Sequence, residues 1–263
     1  MHSATRQNFL EDYRLIRHAE GRGSEDPEYY RALPFRDLSG KNTAQWSIRA
    51  KTWKHFEARV LPEFERASKR PLDVLDLGAG NGWTSWQLSQ RGHKPVALDI
   101  FTDAKDGLGA MRCYTNTPDA VEAEFDTLPF RDAAFNLVLF NASFHYSAAY
   151  TQTLAEARRC LRAGGAVVIM DSPIYKRPEH GRLMQAERRA QFERQYGFPS
   201  DAMGSVEFLD DDTIERLGRE LDIRWSYSQP RYGWRWAMRP IKAWLLRKRP
   251  PSRFAILIGR FGS

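Results

Sequence analysis

Short apolar runs alternate with amphipathic stretches through the middle of the chain. The apolar runs cover residues 72–77, 95–100, 120–125, 135–140 and 166–170. Segments with helical spacing separate most of them, notably 83–90 and 148–161. Strands that alternate with helices are typical of βαβ units. The pattern therefore predicts an α/β fold with a mostly parallel sheet that helices cover on both faces.

The N-terminal part of the chain has helical spacing instead. Residues 1–70 are mostly helical in pattern, with a Gly-rich break at 20–26 and a proline-marked loop at 34–40. A helix is predicted over 43–69, with Thr43 as its cap and a bend or interruption at Pro62.

The C-terminal part mixes a polar helical segment with two more strands. Residues 172–205 predict a helical insertion around 181–196, and a capped helix follows at 213–220. The last strands are predicted at 223–228 and 254–261, joined by a connection rich in Trp and Arg. We expect Gly164 and Gly165 to end the helix over 148–161.

Composition supports one folded domain. The chain has 263 residues, of which 42% are hydrophobic and 28% charged, enough to bury a full core. It contains no apolar run long enough to span a bilayer, and its N-terminus lacks the apolar segment of a signal peptide. Cys113 and Cys160 are expected to be reduced structural thiols. We therefore expect a cytoplasmic protein.

The net charge of +7 is concentrated at one end of the chain. Residues 223–263 carry ten Lys or Arg and no Asp or Glu, which leaves the rest of the chain slightly acidic. The basic character therefore belongs to the C-terminal segment and needs its own explanation.

The sharpest motif is a glycine-rich turn between a strand and a helix. The strand ends at Asp76-Leu77, and Gly78-Ala79-Gly80-Asn81-Gly82 follows. Such a turn lets a nucleotide-like ligand lie against bare backbone at a helix N-terminus. The next strand ends at Asp99, 19 residues after Gly80, where a carboxylate can accept hydrogen bonds from ribose hydroxyls. As a strand-end residue, Asp99 could also cap a turn.

Spacing separates two classes of nucleotide cofactor. A dinucleotide fingerprint requires a third glycine for close helix–strand packing. Trp83 stands at that position here, and Gly82 gives the pattern G-x-G-x-G instead. The motif therefore argues against NAD and FAD.

These motifs resemble the class I S-adenosylmethionine-dependent methyltransferase family, especially its small-molecule, type 11-like branch. The resemblance rests on Asp76–Gly82, Asp99, the segment 125–130, the segment 141–146 and Leu161-Arg162-Ala163-Gly164-Gly165. Relatives usually have Asp where Asn136 stands, a position that is commonly structural. The resemblance implies S-adenosylmethionine as cofactor, S-adenosylhomocysteine as product and no metal. The cofactor-binding residues that it indicates are Asp76, Gly78, Ala79, Gly80, Asn81, Asp99, Ile100, Asp126 and Asn141.

The same resemblance also predicts the topology of the sheet. It implies a doubly wound, mostly parallel seven-stranded sheet whose sixth and seventh strands form an antiparallel edge. We predict one methyltransferase domain over 1–263: a helical cap at 1–70, the cofactor-binding core at 71–171, a helical lid insertion at 172–205, and the last helix and strands with a basic insertion at 206–263.

Several side chains have a functional and a structural interpretation. His145 follows the fourth strand and is a candidate general base, or else a packed loop residue. Trp46 and Arg49 are candidate cofactor contacts, with Arg49 meeting the cofactor carboxylate; the alternative is core packing and a solvated Arg49. Core packing is preferred for Trp53. Tyr29 and Tyr30 could line an acceptor pocket or anchor a loop. Acidic residues 210–212 fit a helix N-terminus better than a metal site.

The sequence is compatible with two functional hypotheses. The leading hypothesis is in-line transfer of a methyl group to an unidentified small-molecule or lipid-like acceptor. The rival is a non-catalytic nucleotide-binding module that docks on nucleic acid or membrane. The basic segment 231–253 could lie on an anionic membrane, stack on nucleic acid, or be an ordinary insertion with inward aromatics. In the membrane interpretation, a helix over 240–249 presents Ile241, Trp244 and Leu245 on one face and Lys242 and Arg249 on another.

Overall fold

Seven strands form the central sheet of the computed structural model, which describes residues 3–69, 71–197 and 205–262. The strands are β1 Asp73–Leu77, β2 Lys94–Asp99, β3 Asp119–Glu122, β4 Phe135–Asn141, β5 Leu161–Met170, β8 Ile223–Ser228 and β9 Ile256–Phe261. They lie in the order β3-β2-β1-β4-β5-β9-β8. Strands β1 to β5 pair in parallel, whereas β9 pairs antiparallel with both β5 and β8. The predicted mostly parallel seven-stranded sheet with an antiparallel edge pair is confirmed.

Helices precede the sheet and connect its strands. They are α1 Ser3–Ala19, α2 Pro27–Ala32, α3 Thr43–His55, α4 Leu61–Ser68, α5 Trp83–Gln90, α6 Tyr150–Cys160, α7 Pro178–Tyr196, α8 Asp211–Glu220, α9 Trp234–Ala237 and α10 Arg239–Leu245. Short 3-10 turns occupy Leu108–Cys113 and Phe144–Tyr146. Beside the main sheet, β6 Ile174–Tyr175 pairs in parallel with β7 Leu209–Asp210.

Alternate residues of the strands supply two separate cores. Val74 and Val168 face one side of the sheet and pack in a cluster with residues of α3 and α4. Leu75 and Val167 face the other side, in a cluster with residues of α6 and α8. Neighbouring side chains along a strand point to opposite faces, so a strand that is buried on both sides is apolar throughout. This explains the continuous apolar runs of the central strands.

Two predicted helix boundaries are wrong. The helix α6 ends at Cys160, where Leu161 already has extended backbone and pairs with Phe135 of β4. Gly164 and Gly165 therefore lie inside β5 and do not end the helix. Thr43 is not the cap of α3, because Asn42 occupies that position and the Thr43 hydroxyl donates to Asp37 Oδ2 at 3.1 Å.

The predicted interruption near Pro62 is confirmed. A π-helical turn at Phe56–Val60 separates α3 from α4, and Pro62 stands in the first turn of α4. Proline has no N–H to donate and is tolerated in a first turn. The chain thereby keeps Phe56, Val60 and Leu61 buried through the junction.

The C-terminal elements agree with the sequence pattern in part. Helix α7 includes the segment predicted at 181–196, and β8 matches 223–228. The helix predicted over 240–249 is shorter: α10 ends at Leu245, so Arg249 lies beyond it and not on its polar face. Among the helices of the described residues, none combines the length and apolar character that crossing a bilayer requires.

Candidate functional site

A cavity opens at the carboxyl ends of β1, β2 and β4, and we call it the first cavity. The sheet order reverses at β1, because β2 lies on one side of it and β4 on the other. Open α/β sheets bind ligands at such a switch point. The structure brings together all eleven residues predicted to contact a cofactor, which line this cavity: Trp46, Arg49, Asp76, Gly78, Ala79, Gly80, Asn81, Asp99, Ile100, Asp126 and Asn141.

The glycine-rich turn has distinct steric roles at its three glycines. Gly78 has φ +73, and a Cβ there would lie 2.4 Å from Ser143 Cβ. A Cβ at Gly82 would lie 2.5 Å from Met111 Cγ, so both positions are closed to side chains by neighbouring residues. Gly80 differs, because a Cβ there would meet only the Asp106 carbonyl oxygen at 3.8 Å. Its open side faces the space that a ligand can fill.

Asp99 is held between the two loops that it faces. Its Oδ2 accepts from the Gly80 N–H at 2.8 Å, and its Oδ1 accepts from the Phe101 N–H at 2.9 Å. Each carboxylate oxygen can accept a further hydrogen bond. Burial raises the pKa of Asp99, while the two backbone donors oppose that rise. The carboxylate is therefore fixed in orientation and keeps acceptor capacity toward the cavity.

Two buried oxygens at the first cavity lack hydrogen-bond partners. Asp76 Oδ2 accepts from Ser85 Oγ at 2.8 Å, but its Oδ1 has no partner in the described structure. Burial raises the pKa of Asp76 to about 7. Asn141 Nδ2 donates to Thr84 Oγ1 at 2.8 Å, and Asn141 Oδ1 is likewise without a partner. Buried polar atoms are seldom left unsatisfied, so both oxygens indicate a missing donor such as a ligand.

Asp126 and Ile100 lie at the ends of the neighbouring loops. Asp126 follows β3, and its Oδ1 accepts from Thr153 Oγ1 at 2.5 Å. Ile100 comes directly after β2 and lines the same cavity. The segment 125–130, which carries part of the family resemblance, thus contributes Phe125 and Asp126 to the lining of the first cavity.

Trp46 packs in the core and also lines the first cavity, whereas Arg49 is partly buried at the cavity and is not a solvated side chain. Trp46 is buried in the core and packs edge-on against Trp83, with ring centroids 6.1 Å apart. It also lines the first cavity, as does Arg49, whose guanidinium lies over the Trp46 ring at 4.9 Å. Burial lowers the pKa of Arg49 to about 10, and Arg22 and Arg17 add to that effect. Trp53 is a core residue, as expected.

A second cavity, of about 460 Å³, adjoins the first. Arg17, Arg49, Ala142 and Tyr146 line both cavities. Helix α7 contributes Arg188 to the second cavity, and the basic C-terminal segment contributes residues as well. The predicted lid and the basic insertion therefore meet at one site.

His145 lines the second cavity and not the first. Its Nδ1 lies 3.0 Å from Ser172 Oγ. Burial lowers its pKa to about 3, and the charges of Arg188 and Arg49 contribute. The imidazole is therefore neutral near pH 7 and a weak base. Its role as a general base stays a prediction.

Some residues at the first cavity were not predicted from the sequence. They are Tyr13, Arg17, Asp106, Ser143 and Tyr146, among others. Arg17 forms an ion pair with Asp106, which is 89 positions away in the chain. No local motif marks such a pair. Ser143 could have been found, because it follows the predicted fourth strand.

Three other residues singled out in the sequence have structural roles. Tyr29 and Tyr30 are core residues, and the Tyr30 hydroxyl donates to the Lys105 carbonyl oxygen at 2.6 Å, which anchors a loop. Asn136 Oδ1 accepts from the Asp73 N–H at 2.9 Å and from Arg162 Nη1 at 2.9 Å. An amide oxygen thus performs the structural function at the position where relatives have Asp.

The acidic residues 210–212 serve the start of α8. Asp210 caps the helix by accepting from the Thr213 N–H at 2.9 Å. Asp211 forms an ion pair with Arg253. Carboxylates at a helix N-terminus stabilise it through the helix dipole.

Comparison with known proteins agrees with this geometry. Residues 75–169 match a family described as a methyltransferase domain. A malonyl-[acyl-carrier protein] O-methyltransferase of Geobacter sulfurreducens is 28% identical over 59% of this chain and 51% of its own. A tRNA U34 carboxymethyltransferase of Pseudomonas fluorescens is 26% identical over 65% of this chain and 52% of its own. The chain spans between about a third and a half of the first curated relatives that it matches.

Solved structures agree with the fold over nearly the full chain. The complex between the Haloferax volcanii Trm112 methyltransferase activator and a methyltransferase contains a chain with a TM-score of 0.60. The two chains are 18% identical, and the match covers 91% of this chain and 98% of the other. Residues 75–169 therefore resemble the methyltransferase-domain family, and the chain as a whole has the fold of a solved methyltransferase structure. The cofactor of that family is S-adenosylmethionine.

Proposed function

We propose that this protein transfers the methyl group of S-adenosylmethionine to a small-molecule or lipid-like acceptor that binds in the second cavity. The observation that carries the proposal is the junction between the two cavities. The first cavity is lined by the eleven predicted cofactor contacts. It adjoins the second cavity at the residues that line both: Arg17, Arg49, Ala142 and Tyr146. A donor and an acceptor held in adjoining cavities meet the requirement for direct transfer.

The residues of the first cavity fit the family's cofactor. Gly80 offers open space beside bare backbone, and the unpartnered oxygens of Asp76 and Asn141 can accept from a ligand's polar hydrogens. Asp99 would accept from ribose hydroxyls, and Arg49 would meet a carboxylate. When bound, S-adenosylmethionine supplies an electrophilic methyl group. The chain's own residues then orient both partners and exclude water.

Named relatives act on different acceptors, so they do not identify one for this chain. One relative's name specifies a malonyl-[acyl-carrier protein] and another a tRNA. Apart from Ala142, His145 and Tyr146, the residues that line the second cavity lie outside residues 75–169, most of them in the helical cap, α7 and the basic insertion. Acceptor choice is therefore proposed to depend on segments that the family match does not cover.

His145 is the proposed proton acceptor if the acceptor is a hydroxyl or an amine. It lies in the second cavity beside Ser172, and its imidazole is neutral because burial and nearby guanidinium groups lower its pKa to about 3. A neutral imidazole can accept a proton, although such a low pKa makes it a weak base. A carboxylate acceptor would need no base.

The test is transfer of label from S-adenosylmethionine labelled in its methyl group to a component of a cell extract. The wild type is expected to label an acceptor, and Asp99→Ala is expected to label it much more slowly at the same cofactor concentration. The exposed Asp119→Ala variant on β3 is the matched control. If wild-type protein binds the cofactor but moves no label, the chain is the rival non-catalytic binding module and the proposal is wrong.

A further inference from the structure

Arginines dominate the second cavity. Those that line it are Arg17, Arg22, Arg49, Arg188, Arg239 and Arg249. They come from α1, α3, α7, the loop after α1 and the insertion between β8 and β9. Segments far apart in the chain thus place guanidinium groups around one space.

Three of these arginines keep donor capacity that no protein group uses. The Arg22 side chain is 7% exposed; its Nε pairs with Glu20, but its Nη1 is buried without a partner in the described structure. Arg239 Nη2 donates to the Ser252 carbonyl oxygen at 2.8 Å, whereas its Nε is buried and unpartnered. Arg49 forms no hydrogen bond or ion pair with the residues that the structure describes.

Each of the three acidic residues that line this cavity has a protein partner, although Asp171 Oδ2 is buried without one in the described structure. Glu20 lies within ion-pair distance of Arg17, Arg22 and Arg188. Glu207 pairs with Arg188 at 3.0 Å. Asp171 Oδ1 accepts from Thr52 Oγ1 at 2.6 Å, and burial raises the pKa of Asp171, which favours its uncharged form. Arg17 and Arg249 are paired with Asp106 and Glu187, which lie outside the lining. Among the described residues, Arg49 and Arg239 are therefore the lining arginines without an ion pair, and they leave the lining positive.

We propose that the second cavity binds an anionic group of the methyl acceptor, a carboxylate or a phosphate, through Arg22 and Arg239. Guanidinium groups match both anions in geometry and charge. Burial without a partner is costly for a cationic donor, and an anion in this cavity would offer an acceptor to the free Nη1 of Arg22 and to the free Nε of Arg239. That this anion belongs to the methyl acceptor rests on the proposed function. The binding of an anion in the second cavity does not depend on that function.

Direct titration tests the anion site. The protein is first saturated with S-adenosylhomocysteine, so that the first cavity is filled, and then titrated with malonate and with inorganic phosphate in a calorimeter. We expect binding by the wild type and a loss of about 10- to 150-fold in Arg22→Gln and in Arg239→Gln, the range for hydrogen bonds to charged groups. Arg216→Gln on the exposed face of α8 is the matched control.

The relative affinities of the two anions identify the chemical class of the bound group, and the variants test whether the two arginines bind it. Tighter binding of malonate assigns a carboxylate, and tighter binding of phosphate assigns a phosphate. Arg239→Lys is expected to retain part of the affinity, and unchanged binding of S-adenosylhomocysteine shows that the variants are folded. The proposal is wrong if neither anion binds the wild type, or if both arginine variants bind as tightly as the control.

Fractionated extract tests the link to the acceptor. Label from S-adenosylmethionine is expected to enter a compound in the fraction that an anion exchanger retains. Label only in unretained fractions overturns the anionic acceptor but supports methyl transfer. Label in no fraction contradicts the proposed function, and the titration then decides the anion site alone.

The insertion between β8 and β9 also exposes several large apolar side chains to solvent. We call the exposed apolar side chains of α9, α10 and Leu246 the insertion patch: Trp234, Met238, Ile241, Trp244, Leu245 and Leu246. Trp244 is 76% exposed, Trp234 72% and Leu245 67%. Ile241, Trp244 and Leu245 are spaced to share one face of α10. So many large apolar side chains exposed together mark an interaction surface.

Buried contacts hold the insertion between β8 and β9 against the fold and leave the insertion patch exposed to solvent. Tyr232 is buried, its hydroxyl lies 2.9 Å from Thr52 Oγ1, and its carbonyl oxygen accepts from Lys51 Nζ at 2.9 Å. Trp236 stacks on Phe254, with ring centroids 5.6 Å apart. Part of the aromatic content therefore packs inward, as in an ordinary insertion, whereas Trp234 and Trp244 do not.

Exposed basic side chains surround the insertion patch. They are Arg231, Arg235, Lys242, Arg247 and Lys248, and within the described residues none of them forms an ion pair. The sequence has no acidic residue from 223 onward to offset them. Helices that lie on membranes combine an apolar face with basic residues in this way.

We infer that the insertion patch docks on an anionic lipid surface. The basic residues complement acidic headgroups, and the aliphatic Ile241, Leu245 and Leu246 suit the acyl boundary. Nucleic acid would use the tryptophans for stacking, but it offers little to three aliphatic side chains. Charge and apolar content together therefore favour lipid.

Sedimentation with vesicles tests the docking surface. Wild-type protein should sediment with vesicles of phosphatidylserine and phosphatidylcholine, much less with phosphatidylcholine alone, and less as salt is added. The double variant Arg247→Gln and Lys248→Gln should lower the affinity by about 30-fold. Its control is Arg216→Gln with Arg219→Gln, which removes two positive charges from α8.

A second pair of variants tests the apolar contribution. Trp244→Ser with Leu245→Ser should abolish sedimentation, whereas Leu15→Ser with Leu183→Ser, exposed residues of α1 and α7, should not. All variants should bind S-adenosylhomocysteine like the wild type. Wild type that remains in the supernatant with acidic vesicles at low salt overturns the inference. Binding to a single-stranded oligonucleotide but not to vesicles, lost in Trp244→Ser, would assign nucleic acid instead and contradict it as well.

Discussion

Asp99 joins two loops while keeping acceptor capacity for a ligand. The N–H groups of Gly80 and Phe101 hold its two oxygens, so the carboxylate is oriented before any ligand arrives. Preorganisation of this kind reduces the ordering cost of binding. The same side chain therefore shapes the glycine-rich loop and serves as the proposed ribose contact.

We expect Asp99→Ala to weaken binding of S-adenosylhomocysteine by about 10- to 150-fold, because a hydrogen bond to a charged group contributes about 1.5–3 kcal/mol. Isothermal calorimetry on the wild type and the variant measures the change. Asp119→Ala, on the exposed side of β3, should bind normally. An unchanged dissociation constant in folded Asp99→Ala would remove this carboxylate from the site.

His145 should make the protein sensitive to acid. Its pKa is about 6.5 in an unfolded chain and is lowered to about 3 in the fold by burial, with contributions from Arg188 and Arg49. The unfolded state therefore binds the proton more readily, so stability is complete above about pH 6.5 and declines as pH falls toward 3. The expected slope reaches about 1.4 kcal/mol per pH unit.

Replacing the imidazole isolates this effect. Between pH 7 and pH 5, the free energy of unfolding of the wild type should fall by about 2 kcal/mol more than that of His145→Asn. Urea unfolding at a series of pH values measures both curves, and the other titrating groups cancel in the difference. Parallel curves for the two proteins would show that His145 is not buried as a neutral side chain.

At the scale of elements, local pattern was sufficient for the regular segments and insufficient at their ends. The central strands β1, β4 and β5 were predicted because residues buried on both faces form apolar runs. The end of α6 was misplaced, because pairing of Leu161 with Phe135 begins the strand before the two glycines are reached. Likewise, the Thr43 hydroxyl donates to Asp37 in the loop before the helix, and Asn42 occupies the cap position in its place.

Helix α7 depends on a close approach at one glycine. A Cβ at Gly181 would lie 2.3 Å from Cδ2 of Phe208, whose ring is buried beside Tyr175. The position therefore has no room for a side chain unless the Phe208 ring moves. This contact fixes α7 over β6 and β7, where it contributes to the second cavity.

We expect Gly181→Ala to destabilise the protein by about 1–3 kcal/mol through overpacking. In a freely exposed helix the same change would stabilise by about 1 kcal/mol, so the sign of the effect is decisive. Thermal unfolding and limited proteolysis of α7 measure it. Leu183→Ala, at an exposed position of the same helix, should change little. A more stable Gly181→Ala would mean that α7 does not pack against Phe208.

At the scale of the whole molecule, the two cavities differ in how far the sequence reveals them. The first lies where consecutive parallel strands end, so motif residues close in the chain, such as Gly80 and Asp99, predict it. The second brings together Arg22, His145 and Arg239, whose separation follows no period or motif. Only the folded chain places residues of the basic C-terminal segment at the second cavity.

We expect the insertion between β8 and β9 to be separable from the rest of the fold. Ser228 and Ile256 are paired in register, so a two-residue Asn-Gly turn can join the strands directly in place of residues 229–255. The sheet and the first cavity should survive, because no residue of that segment lines the first cavity. The shortened chain should bind S-adenosylhomocysteine within a few-fold of the wild type by calorimetry. It should lose vesicle binding with the insertion patch and anion binding with Arg239 and Arg249, and it should be less stable without buried Tyr232. Retained anion binding would locate that site elsewhere, and lost cofactor binding would show that the insertion supports the first cavity.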